Sequence, residues 1–182
     1  MKAGRVVIAI LAVVAAMGSC VVVDEVAPKQ RTRIEKYLAD NEISYVITTD
    51  SAYVHLGGNK YGVSEEDRGT GATKGAKVSF NVEAYTFETT PSSKPYYTNK
   101  RYLAEQISPE LDITYWDFEP YEVTLGKGEI LNSLDEALEG SVRGDSLAVF
   151  LTSSLAYGKM GMEAVAKDTA VMMVLTVEEV EE

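Results

Sequence analysis

The segment "AKVSFNVEAYTFE", residues 76–88, has the clearest periodicity in this chain of 182 residues. Apolar and polar residues alternate along it, with Val78, Phe80, Val82 and Ala84 in one set and Lys77, Ser79, Asn81 and Glu83 in the other. A period of two places each set on one face of a strand. The pattern therefore predicts an antiparallel strand that buries one face in a core.

A short helix is predicted between strands further along the chain. Residues 121–140, "YEVTLGKGEILNSLDEALEG", change from a strand pattern to a turn and then to a brief helix at 133–139. Asn132 or Ser133 is expected to cap the helix, and Gly140 to end it.

Two strands follow this helix and two precede the segment at 76–88. Residues 145–152 and 170–180 are rich in apolar and β-branched side chains, whereas the terminal "EEVEE", 178–182, is predicted to be a solvated tail. Before them, a helix is expected from Thr32, followed by a hairpin at 43–56. The fold class indicated is α+β.

Residues 91–121 contain four of the five prolines and seven of the sixteen aromatic residues. Prolines interrupt both helices and sheets, so this segment is predicted to be neither a regular helix nor a regular strand. We expect a long structured loop that carries function.

The first nineteen residues have the pattern of an export signal. Lys2 and Arg5 precede the apolar run at 6–18, which ends in small residues before the only cysteine, Cys20. This order is similar to the lipobox of bacterial lipoproteins and predicts lipidation at Cys20. An ordinary signal peptide with a free thiol, or a short membrane anchor, is the alternative.

These patterns divide the chain into segments with different expected roles. The expected parts are a signal peptide at 1–19, a flexible tether at 20–30, a helix and hairpin lead-in at 31–68, and a main domain at 69–182 with its long loop at 91–120.

The charge of the chain excludes one class of partner. The sequence has 17 basic and 28 acidic residues, a net charge of −11. Such a chain repels phosphates, so we expect no nucleic acid partner. A lipid on Cys20 would instead hold the protein to a membrane of the cell envelope, at the outer membrane on its periplasmic or surface side.

Conventional catalytic groups are scarce. His55 is the only histidine and lies in a strand pattern, and the glycine-rich loops lack the spacing of a phosphate-binding motif. No metal site or cofactor is expected. The aromatic and apolar residues suit a concave site for an apolar, proline-bearing peptide, or simply a core.

Three segments in order resemble the FKBP family of peptidyl-prolyl isomerases: "KGAKVSFNVEAY", "YEVTLGKGEILNSLDEALEGSVRGDS", and "LTSSLAYGKMG" with the following "VAKDTAVMMVLTVEEV". Together they cover roughly residues 69–180. The resemblance implies an antiparallel sheet that wraps around the short helix, with an apolar cavity between them. The lead-in is similar to the helix and hairpin of bacterial members.

The resemblance also implies a prolyl site. Tyr157 matches the tyrosine whose hydroxyl bonds a carbonyl of the ligand in the family. The walls and floor of the pocket would be formed by Tyr97, Tyr121, Ile130, Leu131, Leu134, Val165, Met173 and Val82. The implied ligands are proline-containing peptides or unfolded envelope proteins.

Four positions depart from the family's pattern. Leu134 replaces a tryptophan at the pocket floor, Val82 a tyrosine, Met173 a phenylalanine, and Thr98 or Tyr97 an aspartate. A smaller floor implies a weak isomerase, or a protein that binds peptides without turning them over. A structural envelope lipoprotein that meets a partner through the loop around Trp116 is a third possibility.

Overall fold

A computed structural model describes residues 25–57, 71–107 and 118–182. Within these ranges, the strand predicted at 76–88 is confirmed as β3, Lys77–Phe87. Its alternate residues Val78, Phe80, Val82 and Ala84 are all buried. β3 pairs along its whole length with the antiparallel strand β7, Ala170–Glu181.

Seven strands of the described ranges form one antiparallel sheet. The order is β1-β2-β6-β7-β3, and the far edge of β3 is shared by β4 and β5. The remaining bounds are β1 Val46–Ile47, β2 Tyr53–Leu56, β4 Tyr97–Thr98, β5 Tyr121–Thr124 and β6 Ser146–Leu151. The predicted hairpin is confirmed as β1 paired with β2, and the α+β class is confirmed.

The short helix lies on the inner face of this sheet. It is α3, Asn132–Leu138, and its residues Leu134, Ala137 and Leu138 belong to the main apolar core. The predicted cap is wrong, because the helix begins one residue earlier and its N-cap is Leu131, which has no side-chain cap bond. Asp135 instead accepts a 2.8 Å hydrogen bond from the backbone N–H of Gly126 in the preceding turn.

The N-terminal helix α1, Val26–Asp40, covers part of the outer face. Ile34 and Leu38 are fully buried there and pack with Tyr53, Phe87 and Phe150 in a second apolar cluster. The helix begins six residues before Thr32, so 26–30 of the predicted tether are helical. Proline is tolerated in the first helical turn, and Pro28 therefore does not delay the start.

Long-range contacts also favour the early start of α1. The side chain of Gln30 is buried and accepts 2.8 and 3.0 Å bonds from the N–H and hydroxyl of Ser153. Its amide donates a 2.7 Å bond to the carbonyl of Asp168. These bonds satisfy polar groups on both partners inside the structure. Cys20 and the rest of 1–24 lie outside the described residues.

Regular structure occurs in the segment predicted as an irregular loop. It contains β4 and the helix α2, Arg101–Ile107. The aromatic residues Tyr115 and Trp116 lie outside the described residues. Within the described part of the chain, no helix has both the length and the apolar composition needed to cross a bilayer.

The prediction of a solvated C-terminal tail is also wrong. β7 continues to Glu181, and its last residues pair with β3, with Glu179 opposite Ser79 and Glu181 opposite Lys77. The acidic composition suggested a solvated tail. A strand can form there because its backbone pairs with β3 while its charged side chains reach water.

Candidate functional site

Tyr157 lies in the turn that leaves β6. A 3₁₀ helix, Ser153–Leu155, precedes it, and the N–H of Gly158 bonds the carbonyl of Ser153 at 2.7 Å. Gly158 has φ +58, a left-handed conformation that glycine adopts without steric cost. The turn directs the half-buried ring of Tyr157 against the main core.

The hydroxyl of Tyr157 is held by a second tyrosine. Tyr96 and Tyr157 have hydroxyl oxygens 2.9 Å apart, and their rings meet edge to face with centroids 6.1 Å apart. Burial, and then the hydrogen bond to Tyr157, raise the pKa of Tyr96 above its ordinary value. Tyr96 therefore stays protonated at neutral pH and serves as a hydrogen-bonding group, not as a base.

Sequence comparison by motif did not find Tyr96. The resemblance indicates the neighbouring Tyr97 as a wall of the pocket, and the hydroxyls of Tyr97 and Tyr121 are 2.5 Å apart. Tyr121 is 43% exposed and its ring lies 5.9 Å from that of the buried Phe80. The structure thus brings the two predicted tyrosines, Tyr97 and Tyr121, together at the first residue of β5.

The other predicted residues gather around the same core. Val82, Leu134, Val165 and Met173 are buried members of the main cluster, and Ile130, Leu131, Tyr97 and Tyr157 pack against it half-buried. Met173 on β7 is the direct cross-strand partner of Ala84 on β3. This convergence matches the predicted arrangement, whereas the role of each residue in substrate binding stays a prediction.

Side chains complete the sheet where β4 and β5 leave a gap. The N–H of Val82 donates a 2.9 Å bond to the side-chain oxygen of Asn99, whose amide donates to the carbonyl of Glu119. Thr98 donates a 2.8 Å bond to the carbonyl of Val82. Asn99 is buried, and no sequence signal distinguished it. These bonds hold β4, which begins directly after Tyr96.

A partly buried ion pair lies on the opposite face of β3. The ammonium of Lys100 is 2.6 Å from Glu83, and Tyr85 donates a 2.6 Å bond to the same carboxylate. Burial alone would raise the pKa of Glu83, but the hydrogen bonds from Lys100 and Tyr85 lower it. Side chains alternate along a strand, so this pair and Tyr85 face away from Val82.

The site offers apolar walls and phenol groups. The described residues contain no group of three or more His, Cys, Asp or Glu side chains placed to hold a metal ion. His55 lies on β2, where its Nδ1 is 2.7 Å from the carbonyl of Ser44. An apolar surface with hydrogen-bond donors at its rim can bind a peptide and orient its carbonyls without covalent chemistry.

Comparison with known proteins agrees with this architecture. Residues 69–177 match the family model described as FKBP-type peptidyl-prolyl cis-trans isomerase. A peptidyl-prolyl cis-trans isomerase from Pseudomonas syringae pv. tomato has a similar fold, with TM-score 0.54 and 13% identity over 86% of this chain and 94% of that one.

FkpA from Escherichia coli also has a similar fold. Its crystal structure gives TM-score 0.53 and 11% identity over 86% of this chain. This chain spans 61% of the FkpA chain. At these identities the likeness concerns the fold. No curated protein sequence matches the chain.

Proposed function

The chain belongs to the FKBP-type peptidyl-prolyl cis-trans isomerase family, and we propose that it accelerates the rotation of prolyl bonds at the site beside Tyr157. One observation carries the proposal: the residues that the family's motifs indicate, except Tyr121, converge on one core, where the half-buried phenol of Tyr96 is hydrogen-bonded to the Tyr157 hydroxyl. The proposed substrates are proline-containing segments of unfolded envelope proteins.

The chemical task is to favour a twisted amide. Rotation about a prolyl bond faces a barrier of about 20 kcal/mol because the C–N bond has partial double-bond character. Water stabilises the planar, charge-separated amide more than the twisted one. An apolar site that excludes water and grips the proline ring therefore lowers the barrier without proton transfer.

The tyrosine pair would orient a substrate carbonyl. If Tyr96 donates to the oxygen of Tyr157, then the hydroxyl proton of Tyr157 is free to point at a peptide carbonyl. The bond between the two hydroxyls fixes the ring of Tyr157 before substrate arrives. Such preorganisation strengthens a single hydrogen bond at the moment of rotation.

Activity is proposed to be weak. Leu134, at the pocket floor, offers less contact area to a proline ring than an aromatic side chain would. Thr98, one of the two candidates for the family's aspartate position, uses its hydroxyl to bond the carbonyl of Val82. Leu134 also favours a second candidate function, a protein that binds peptides without turning them over.

A protease-independent isomerisation assay on a short Leu-Pro peptide separates these functions. We expect the full chain to accelerate isomerisation and Tyr157→Phe to lower kcat/KM about five- to tenfold, since one hydrogen bond is lost. Tyr102→Phe, on the exposed face of α2, is the matched control and should have no effect. If the unmodified chain binds the peptide but gives no acceleration, binding without turnover is the function.

A further inference from the structure

Four of the exposed large apolar side chains lie together on the β1–β2 hairpin. They are Tyr45, Val46, Ile47 and Leu56, with exposed fractions of 39, 68, 57 and 46%. The other exposed large apolar residues among the described ranges are spread over α2, β5 and the segment at 160–162. An apolar strand at the edge of a sheet is a template for pairing with another chain.

The backbone of β1 is available on its outer side. β1 pairs with β2, and the N–H of Thr48 bonds the carbonyl of Ala52 at 2.9 Å. In an antiparallel ladder, alternate residues direct their N–H and C=O groups away from the partner strand. Thr48 is bonded to Ala52, so Ile47, one residue before it and opposite Tyr53, directs its N–H and C=O away from β2.

A groove runs beside this strand on the inner face of the sheet. It consists of two adjoining hollows of about 400 and 350 Å³ that share Val46, Val54, Ala137 and Glu139. We call it the hairpin groove. Leu56 and Leu147 line its apolar end, whereas Lys74 and Glu136 line its other end.

The polar end of the hairpin groove has an excess of negative charge. One carboxylate oxygen of Glu136 is buried, and no donor among the described residues reaches it. The ammonium of Lys74 lies 3.6 Å from a carboxylate oxygen of Glu139. Among the described residues that line this end, the two carboxylates of Glu136 and Glu139 therefore face one ammonium. A buried carboxylate oxygen without a donor is costly, and a cationic side chain from a partner would supply the missing donor.

We propose that the hairpin groove binds an extended polypeptide segment that adds to β1 as a further strand and carries both apolar and basic side chains. A strand added about 4.8 Å from β1 would pair with the backbone of Ile47. Its outward side chains would pack on Tyr45 and Ile47. On the inner face, an apolar side chain of the added strand would enter the apolar end of the hairpin groove beside Leu147. A basic side chain two residues along the added strand would reach Glu136.

A second copy of this chain is the less suitable occupant. If two copies paired through β1, their inner faces would lie on the same side of the joined sheet. Glu136 and Glu139 of each copy would then approach the same residues of the other, and like charges oppose such pairing. A basic segment of a non-native protein would carry charge opposite to that of the hairpin groove and would be attracted to it. This proposal does not depend on isomerase activity.

The probe is a dye-labelled, proline-free peptide of about eight residues that alternates valine with leucine or lysine, measured by fluorescence anisotropy with the full chain. We expect binding, and a Kd about three- to fivefold higher with Glu136→Gln/Glu139→Gln, the effect of a partly exposed ion pair. Glu122→Gln/Glu179→Gln, on β5 and β7, is the matched control and should bind like the unmodified chain.

Two further peptides test the strand geometry and the charge. Methylation of alternate backbone nitrogens should abolish binding, and replacement of lysine by glutamate should weaken it. The proposal is overturned by absent binding, by equal affinity of both glutamine variants, or by competition from an excess of Leu-Pro peptide. It is also overturned if sedimentation velocity shows dimers that Ile47→Lys abolishes, because the occupant is then a second copy. Isomerase rates of the same variants should be unchanged.

Discussion

The bond between Tyr96 and Tyr157 is a property of two side chains that belong to different parts of the chain. Tyr96 precedes β4 and Tyr157 follows β6, yet their hydroxyls are 2.9 Å apart. In the proposed site Tyr96 would be a positioning residue, which acts on substrate through Tyr157. Substitution of Tyr96 by phenylalanine removes only the hydroxyl and should leave the ring in place.

Tyr96→Phe should lower kcat/KM about fivefold, because Tyr157 loses the hydrogen bond that orients it. The same substitution in a Tyr157→Phe background should have no further effect, since the group that it positions is already gone. Isomerisation rates of the two single variants and the double variant check this. Additive losses would show that Tyr96 acts independently of Tyr157.

Leu134→Trp should raise kcat/KM about three- to tenfold, because an aromatic floor contacts a proline ring more fully. Leu134 is buried, so the larger ring should also cost about 1–3 kcal/mol of stability. Rates measured at equal concentration of folded protein, with urea unfolding in parallel, separate the two effects. An unchanged rate would place the proline ring away from α3.

At the scale of secondary structure, side chains supply bonds that the strands cannot. Asn99 and Thr98 complete the edge of β3 between β4 and β5, and Lys100 with Glu83 fastens the same segment on the outer face. β4, which follows directly after Tyr96, is thus held both at the edge of β3 and on the outer face of the sheet. Its stability depends on ionised groups and not only on apolar burial.

Glu83→Gln should cost about 1–2 kcal/mol at pH 7, since the charged partner of Lys100 is lost. The hydrogen bonds lower the folded pKa of Glu83 below its ordinary value of 4.5. The unfolded chain therefore binds more protons just below pH 4.5, and stability falls there as pH falls. Urea unfolding between pH 3 and 7 should show that the free energy of unfolding falls less with falling pH in Glu83→Gln than in the unmodified protein. Parallel curves for both proteins would contradict this assignment.

Most of the sheet could be predicted, because β3 alternates in polarity and β6 and β7 are rich in apolar and β-branched residues. The bond between Tyr96 and Tyr157 could not be predicted, because the two residues are 61 positions apart and no pattern in the sequence links them. The start of α1 depends on Gln30 bonding Ser153, 123 residues away. Asn99 has no motif because its role is to replace missing backbone partners.

At the scale of the whole molecule, the lipid predicted at Cys20 would decide where the protein works. Cys20→Ser should move the protein from the membrane fraction to the soluble fraction, because the acyl chains supply the binding energy. Fractionation of cells with an immunoblot checks this, and metabolic labelling with palmitate should be lost in parallel. A variant that remains with the membranes and cannot be removed by alkaline carbonate would indicate a membrane anchor.

Because α1 begins at Val26, only residues 21–25 would separate an acylated Cys20 from folded structure. Five residues reach at most about 18 Å, even fully stretched. A linker of this length would keep the domain close to the membrane surface. It would confine the enzyme to clients that pass along the lipid surface itself.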